Sequence, residues 1–464
     1  MIVINIKKLI RNKKIHNFII LFSSIVLIYL LISIYFINHT YFGTSINGVD
    51  ISLEAHDEVD DIIRSFVNDY ELQLIERGGK TEVITGKNIE MKYSEKNIAP
   101  QICQIQNPLK WISSLFREPN YYANGLFVYN EALLQNKINE LNCLNKDIIE
   151  PQNVSFRYLD GSYELIKEVY GNKIYKNRLN RAIEMSIVKG LTKLDLDEND
   201  CYENPIYTLS SAKTSETKKL LDKYVSTKIT YLSRDKIELL DGNRINQWLS
   251  VDENLEIAIN KASVQAYVKE LSKKYDTIGV SRKFRTSANK VIEVKGGFYG
   301  WKIDCTAETN TLIDNIKLGE VVEKEPIYAQ KAFTRDKDDI GNTYVEINLT
   351  RQQLWFYKDG KLIAHGSIVT GNPNKGNATD VGIYMLNYKQ EGSTLRGHNY
   401  EADVTYWMPF NGNVGIHDAS WRNSFGGDIY KSNGTHGCVN APLYLAKKIF
   451  ENIDSGTPVI CYEE

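Results

Sequence analysis

Gly415–Asn440 reads GIHDASWRNSFGGDIYKSNGTHGCVN, and this stretch decides how the C-terminal part of the chain is read. Seventeen residues separate His417 from a Thr435-His436-Gly437-Cys438 cluster. A cysteine behind a glycine, with two histidines near, has what a thiol nucleophile needs. A free thiol titrates near 8.5, and an imidazole that takes its proton makes the reactive thiolate. On an extended segment His436 and Cys438 project to one face. His417 is distant in sequence and can approach from an adjacent strand, which is the better position for a general base. Gly437 allows a sharp turn and leaves backbone amides to meet an oxyanion. Asp418 adjoins His417, but neighbouring strand residues point opposite ways, so a backbone carbonyl is the expected partner of the imidazole. Taken alone, Cys438 has a second reading, a buried structural thiol.

Around this stretch the pattern is β. From Thr343, YVEINL and then QLWFYKDGKLIAHGSIVTG give a strand, a Lys-Asp-Gly turn and a second strand. Val381–Tyr388, Tyr406–Phe410, Val414–Ile416 and Thr457–Tyr462 continue it, with one helix over Pro442–Ile453. The expectation is a mostly β, sandwich-like domain over 342–464. His365 and His398 read as surface or loop residues. Trp407 and Trp421 read equally as core or as substrate contacts.

Upstream, three landmarks occur twice in the same order. Phe156-Arg157, Tyr170-Gly171-Asn172-Lys173-Ile174 and Pro205-Ile206-Tyr207 return as Phe284-Arg285, Tyr299-Gly300-Trp301-Lys302-Ile303 and Pro326-Ile327-Tyr328. Helical spacing at 131–141 and 179–189 returns at 262–275 and 307–316, so each copy reads as a small α+β module. The first copy, over 39–209, has an additional N-terminal part. It comprises a turn-containing strand at Ser45–Ser52, a helix within Leu53–Asp69, and a strand from Gln73 that turns at Gly78-Gly79. Ser210–Lys223, polar and rich in Lys, Ser and Thr, reads as a junction, and 210–331 is the second module. Ala332–Asn342 joins it to the last domain.

At the N-terminus, Phe18–Ile37 holds twenty residues without a charge, enough to cross a bilayer as a helix. Lys7, Lys8, Arg11, Lys13 and Lys14 precede it and no Lys or Arg follows until Arg64, which puts residues 1–16 in the cytoplasm and the rest outside. The expectation is a single-pass cell-membrane anchor over 17–38. A cleaved signal peptide is the rival, disfavoured by the length of the run and by the poor cleavage site at Phe42–Ser45. Across 464 residues the net charge is -2, so no electrostatic case exists for nucleic acid. Of six cysteines, Cys143 and Cys201 bracket the first repeat and are the candidate disulfide outside the cytoplasm, while Cys461 lies in an apolar strand. Neither C-x-x-C nor H-E-x-x-H is present, so neither a metal nor a cofactor is expected.

The His417…Thr435-His436-Gly437-Cys438-Val439-Asn440 pattern resembles the YkuD-type L,D-transpeptidase catalytic domain of bacterial cell-wall enzymes, whose signature is a His, a gap, then Ser/Thr-His-Gly-Cys, an apolar residue and Asn or Arg. TGNPNKGNATDVGIY upstream also resembles that family, with Asp380 where a proline is common there. The two modules resemble the peptidoglycan-binding domains that often precede it. The resemblance implies that Cys438 attacks a tetrapeptide stem between its third and fourth residues. D-alanine leaves, and a second stem's side-chain amine resolves the thioester into a 3→3 cross-link. It implies His417 as base, His436, Gly437 and the Cys438 amide at the oxyanion, and Thr435 and Asn440 holding the loop. Trp421, Tyr406 and Trp407 are implied as walls of the stem-peptide channel, and acylation by carbapenems is implied as well. A hydrolytic L,D-carboxypeptidase and a non-catalytic wall-binding protein are the alternatives. Cys/His endopeptidases place Cys before His, the opposite order, and no sortase-like Thr-Leu-x-Thr-Cys stretch is present.

Overall fold

The charge-free run near the N-terminus forms helix α1, Lys13–Tyr35, in the computed structural model of the chain. Its side chains are exposed apart from a few, and Ser33 is the one it buries. The structure describes all residues except 1–12, 95–100, 102, 104, 234–235, 337 and 398–399. His398 and the leading basic residues Lys7, Lys8 and Arg11 therefore lie outside the described residues. Two compact units follow from the contacts, 1–155 with 165–214, and 156–164 with 215–464.

In the first unit, α2 (Val59–Asn68) leads into the hairpin β1 (Glu71–Ile75) and β2 (Thr81–Thr85). Then come α3 (Glu131–Asn139), the hairpin β3 (Ser155–Leu159) and β4 (Ser162–Ile166), most of which belongs to the second unit, and, back in the first, α4 (Lys176–Val188) and β5 (Lys193–Asp195). β5 joins β1 in parallel and β2 joins it antiparallel. The core gathers Ile63, Leu72, Leu74, Ile138, Leu179 and Ile183. Cys143 and Cys201 are both free thiols, so the disulfide expected between them is absent. Each is buried in this core, where it serves as a small apolar residue.

The second unit repeats the order: α5 (Ala212–Val225), β6 (Lys228–Ser233), β7 (Lys236–Leu240), α6 (Lys261–Tyr275), the hairpin β8 (Arg282–Arg285) and β9 (Val291–Val294), α7 (Cys305–Leu318) and β10 (Val321–Lys324). β10 pairs with β6 in parallel and β7 with β6 antiparallel, the same sheet as in the first copy. One expectation is corrected here: the leading helix and hairpin belong to both copies. Ser210–Lys223 holds most of α5, and the boundary between the compact units, 214/215, falls inside it. The buried face of α5 runs Thr217, Leu221, Val225, every fourth residue. Its threonine hides that period in a polar count, and Thr217 Oγ1 donates to Leu255 O (2.9 Å), which satisfies the buried hydroxyl.

The repeated Phe-Arg landmark marks a hairpin that packs forward along the chain. Tyr163, with Phe156 and Tyr158, packs into the core of the second unit, and Tyr163 N–H donates to Asp222 (2.7 Å). Likewise Phe284 and Val294 pack on Ile383, Ile460 and Tyr462 of the C-terminal domain. The expected division at 209/210 therefore differs from the compact units, because residues 156–164 belong with the second. The β8–β9 turn is tied further: Ser287 N–H and Oγ both donate to the fully buried Glu346 carboxylate, as does Tyr462 hydroxyl (2.7 Å).

Where the second module meets the last domain, Arg282 and Asp339 form an ion pair at 3.0 Å, with side chains 5% and 1% exposed. The guanidinium also donates to the carbonyls of Asp338, Val280 and Thr277. Removing one partner of such a pair leaves a buried charge without compensation. Arg282→Met is expected to destabilise this unit by about 3–5 kcal/mol. The check is the denaturant midpoint followed by the fluorescence of Trp301, whose backbone N–H donates to Thr277 Oγ1 beside the pair.

The C-terminal domain holds two sheets. One has the order β13-β12-β11-β19-β14, from β11 (Tyr344–Asn348), β12 (Gln353–Lys358), β13 (Lys361–Ser367), β14 (Gly382–Met385) and β19 (Pro458–Tyr462). The other runs β15-β16-β17-β18, from β15 (Gln390–Gly397), β16 (Tyr400–Asn411), β17 (Val414–Asp418) and β18 (Val439–Ala441). Val345, Phe356, Met408, Ile416, Val439 and Val459 meet in a shared core, closed by Leu445 and Ile449 of α8 (Leu443–Asn452). Cys461 is fully buried in β19.

Candidate active site

β17 lies between β16 and β18, antiparallel to the first and parallel to the second, with His417 opposite Trp407 and Asn440. Strand alternation sends Ile416 and Val439 into the core and turns His417 and Asn440 outward. Cys438 directly precedes β18 and shares the parity of Asn440, so the thiol faces the same side as the imidazole. His417, Cys438 and Asn440 line one cavity of about 530 Å³. Leu395 and Asp403 of the β15–β16 hairpin wall it from one side, and Trp421 and Arg422 from the other.

The imidazole is held on every side. His417 Nδ1 is 2.8 Å from the Asp418 carbonyl. A carbonyl only accepts, so Nδ1 carries the proton and Nε2 keeps the lone pair. Trp407 and Trp421 flank the ring at 5.9 and 6.0 Å between centroids. Asp418's own carboxylate turns away and accepts the N–H groups of Thr405 and Tyr406. Gly415 makes room for this arrangement, since a Cβ there would stand 2.7 Å from the Trp407 ring.

Burial sets the charge state. His417 is 4% exposed, and desolvation lowers its pKa, with the Asp418 carbonyl opposing weakly. Cys438 is 9% exposed, and desolvation raises its pKa, with a hydrogen bond from the Gly415 amide opposing. Its Sγ–H donates to Asn413 O at 3.5 Å. The two groups are thus pushed toward a neutral thiol and a neutral imidazole.

The loop before the thiol is cross-tied. Thr435 Oγ1 donates to Cys438 O (2.6 Å) and accepts the Gly437 N–H (3.0 Å). The Gly437 amide is therefore engaged and is not a free oxyanion donor, contrary to expectation; Gly437 instead supplies a φ of +124°. His436 is exposed at the cavity rim. Asn440 holds the loop through its backbone, exchanging two 2.9 Å bonds with Val369. The residue lines the cavity, and its buried side-chain Oδ1 has no partner among the described residues. Trp407 packs under Cys438 as floor. Tyr406, one residue away, points into the core against Phe450 (5.0 Å) and does not reach the cavity. Neighbours on a strand cannot both wall one channel. His365 stacks on Trp355 at the surface, away from the site.

Sequence reasoning missed Thr379 and Arg422. Thr379 Oγ1 donates to Gly437 O (2.7 Å) and accepts Gly371 N–H (3.0 Å), pinning the loop from the side opposite Thr435. It lies within the TGNPNKGNATD run quoted above, which was the available signal. Arg422 Nη1 donates to Asn433 O (2.8 Å), closing the loop between the two motif halves. Nothing in its local pattern sets it apart.

Residues 342–461 match the family model described as the YkuD L,D-transpeptidase catalytic domain. Residues 207–322 match the model described as "Putative peptidoglycan binding domain". The chain has no match among curated proteins. Among solved structures, it is similar to a cysteine-to-serine mutant of the Enterococcus faecium L,D-transpeptidase, at 33% identity over 53% of this chain and 100% of that one, with a TM-score of 0.43. It is 41% identical to the E. faecium catalytic domain acylated by ertapenem, over 26% of this chain and 97% of that one (TM-score 0.25). A Stackebrandtia nassauensis L,D-transpeptidase is 30% identical over 26% of this chain and 55% of that one (TM-score 0.23). With one third of residues identical along the whole of a known L,D-transpeptidase, and the catalytic-domain model matched over the very strands that carry His417 and Cys438, the chain belongs to the L,D-transpeptidase family.

Proposed function

We propose that the chain is a membrane-anchored L,D-transpeptidase that forms 3→3 peptidoglycan cross-links through a Cys438 thioester. The observation that carries this reading is the shared outward face of β17 and β18, which brings a buried thiol and a base with a fixed tautomer into one cavity. His417 Nε2 takes the Sγ proton as sulfur attacks the carbonyl between the third and fourth stem residues. The oxyanion is met by the Cys438 amide with His436 at the rim, since the Gly437 amide is taken. His417 then gives its proton to the leaving nitrogen, and D-alanine departs. A side-chain amine of a second stem attacks the thioester, loses its proton to His417, and frees the thiol. Asn440 holds the loop beside the thiol, and Trp421 is an exposed wall for the stem. Trp407 supports His417 and Cys438 rather than the substrate. α1 anchors the chain, with the catalytic domain outside the cell, and the two modules hold or space it along the wall. The ertapenem-acylated relative supports carbapenem acylation of the same thiol here.

The test is mass spectrometry of the full chain in detergent with disaccharide-tetrapeptide. Dimers that have lost one D-alanine are expected. Tripeptide monomers without dimers would replace the reading with a carboxypeptidase, and unchanged substrate would favour a wall-binding protein.

A further inference from the structure

Beside α1 lies a segment that the catalytic reading does not use, Ile105–Arg117, IQNPLKWISSLFR. Its centre, Pro108–Leu115, is a 3₁₀ helix. With three residues per turn, Leu109, Ile112 and Leu115 fall on one face. All three are exposed, at 54, 44 and 55%, and Phe116 is 86% exposed. The opposite face, Trp111 and Ser114, is buried. A contiguous apolar face of this kind in water is unfavourable and marks an interaction surface.

What covers it follows from its neighbour. Trp111 packs against Tyr29 of α1 (5.8 Å) and Phe36 just beyond it (6.0 Å). The Tyr29 hydroxyl donates to the Leu109 carbonyl. Tyr29 precedes the outer end of α1 at Tyr35 by six residues, about 9 Å along the helix. The hydrocarbon of one leaflet is about 15 Å thick. Leu109 therefore lies at acyl-chain depth wherever α1 crosses a bilayer.

Backbone at that depth must find its partners inside the protein. Many of the segment's groups do, while the Trp111 indole nitrogen is buried with no partner among the described residues. Asn107 Oδ1 accepts Leu109 N–H (3.0 Å), and Leu109 O takes the Tyr29 hydroxyl. Ser113 Oγ donates to Lys110 O (2.6 Å) and Ser114 Oγ to Trp111 O (2.7 Å). The amides of Phe116 and Arg117 both donate to Ser113 O. Lys110 and Arg117 are exposed, and their charged ends are directed away from the acyl region along their apolar stems.

We propose that Ile105–Phe116 is embedded in the outer leaflet against α1, giving the first unit a second lipid contact that fixes it to the bilayer surface. This rests on the anchor reading of α1 given above. The occupant is the acyl region of the bilayer, not a protein partner.

The full chain, reconstituted in phosphatidylglycerol/phosphatidylethanolamine vesicles carrying an acyl-chain diazirine lipid, is photolysed, digested and mapped by mass spectrometry. Adducts are expected in two separate stretches, 13–37 and 105–116, each at least about tenfold above peptides of the catalytic sheets. Leu109→Glu with Leu115→Glu is expected to lower the second stretch about tenfold and leave the first unchanged. Adducts confined to 13–37 overturn the proposal while keeping the anchor. Adducts in neither stretch, at full recovery of both peptides, remove the anchor and the proposal together.

Discussion

Cys438→Ala is expected to abolish both cross-link formation and the covalent carbapenem adduct, at least about a thousandfold below the native chain, because among the described residues no second thiol lines the cavity. Cys103, Cys143, Cys201 and Cys461 are buried in cores, and Cys305 begins α7 in the second module. One adduct per chain is therefore expected from the native protein by intact mass, and none from the variant. The variant should keep its fold. Cys438 contributes a modest share of a small cluster with Val404 and Trp407, and its hydrogen bond to Asn413 is long. Unchanged thermal unfolding with loss of the adduct assigns the chemistry to this thiol. An adduct that persists in Cys438→Ala would place the nucleophile elsewhere and undo the proposed mechanism.

Much of this site was legible in the sequence because strand parity is a local rule. Once Val414–Ile416 and the residues after Gly437 read as strands, His417 facing away from Ile416 follows, and so does the backbone carbonyl as its partner. The same rule, applied to Tyr406 and Trp407, would have excluded Tyr406 from the channel. Naming both ignored the alternation that the strand assignment had already implied. The Gly437 amide was a different kind of miss. Its engagement depends on the Thr435 hydroxyl folding back over a turn with φ of +124°, a tertiary detail that spacing does not carry. The direction of the His417 and Cys438 pKa shifts could not be read either, since it comes from burial in the folded site.

The repeat was visible as landmarks, but not what they do. Phe156 belongs to a hairpin whose apolar face packs in the core that follows it, and Phe284 to one that packs both on Tyr299 and Trp301 of its own module and on Ile383, Ile460 and Tyr462 of the next. That explains why a Phe-Arg pair recurs in a position that a self-contained module would not need. It also explains why boundaries drawn at polar stretches differ from the compact units. α5 was lost for a related reason: a buried threonine with a bonded hydroxyl counts as polar in a pattern and as core in a structure.

His417→Gln is expected to slow carbapenem acylation by about a hundred- to ten-thousandfold, the usual value of a positioned base, and to change its pH dependence. In the native protein the active form is the neutral imidazole. Desolvation lowers the His417 pKa, so the rate should stay flat from neutral pH down past the ordinary histidine value of about 6.5, and fall only below it as imidazolium forms. In the variant no base remains, and the reactive species is free thiolate. Burial raises the Cys438 pKa above its ordinary value, so the variant's rate should climb with pH through the alkaline range without a plateau near neutrality. Glutamine keeps a hydrogen-bonding side chain between Trp407 and Trp421, so the cavity is preserved and the change reports proton transfer. Stopped-flow acylation across pH 5–10 separates the cases. A native acid limb centred above about 6.5 would mean that a thiolate–imidazolium pair is the resting state, and the neutral site described here would be wrong.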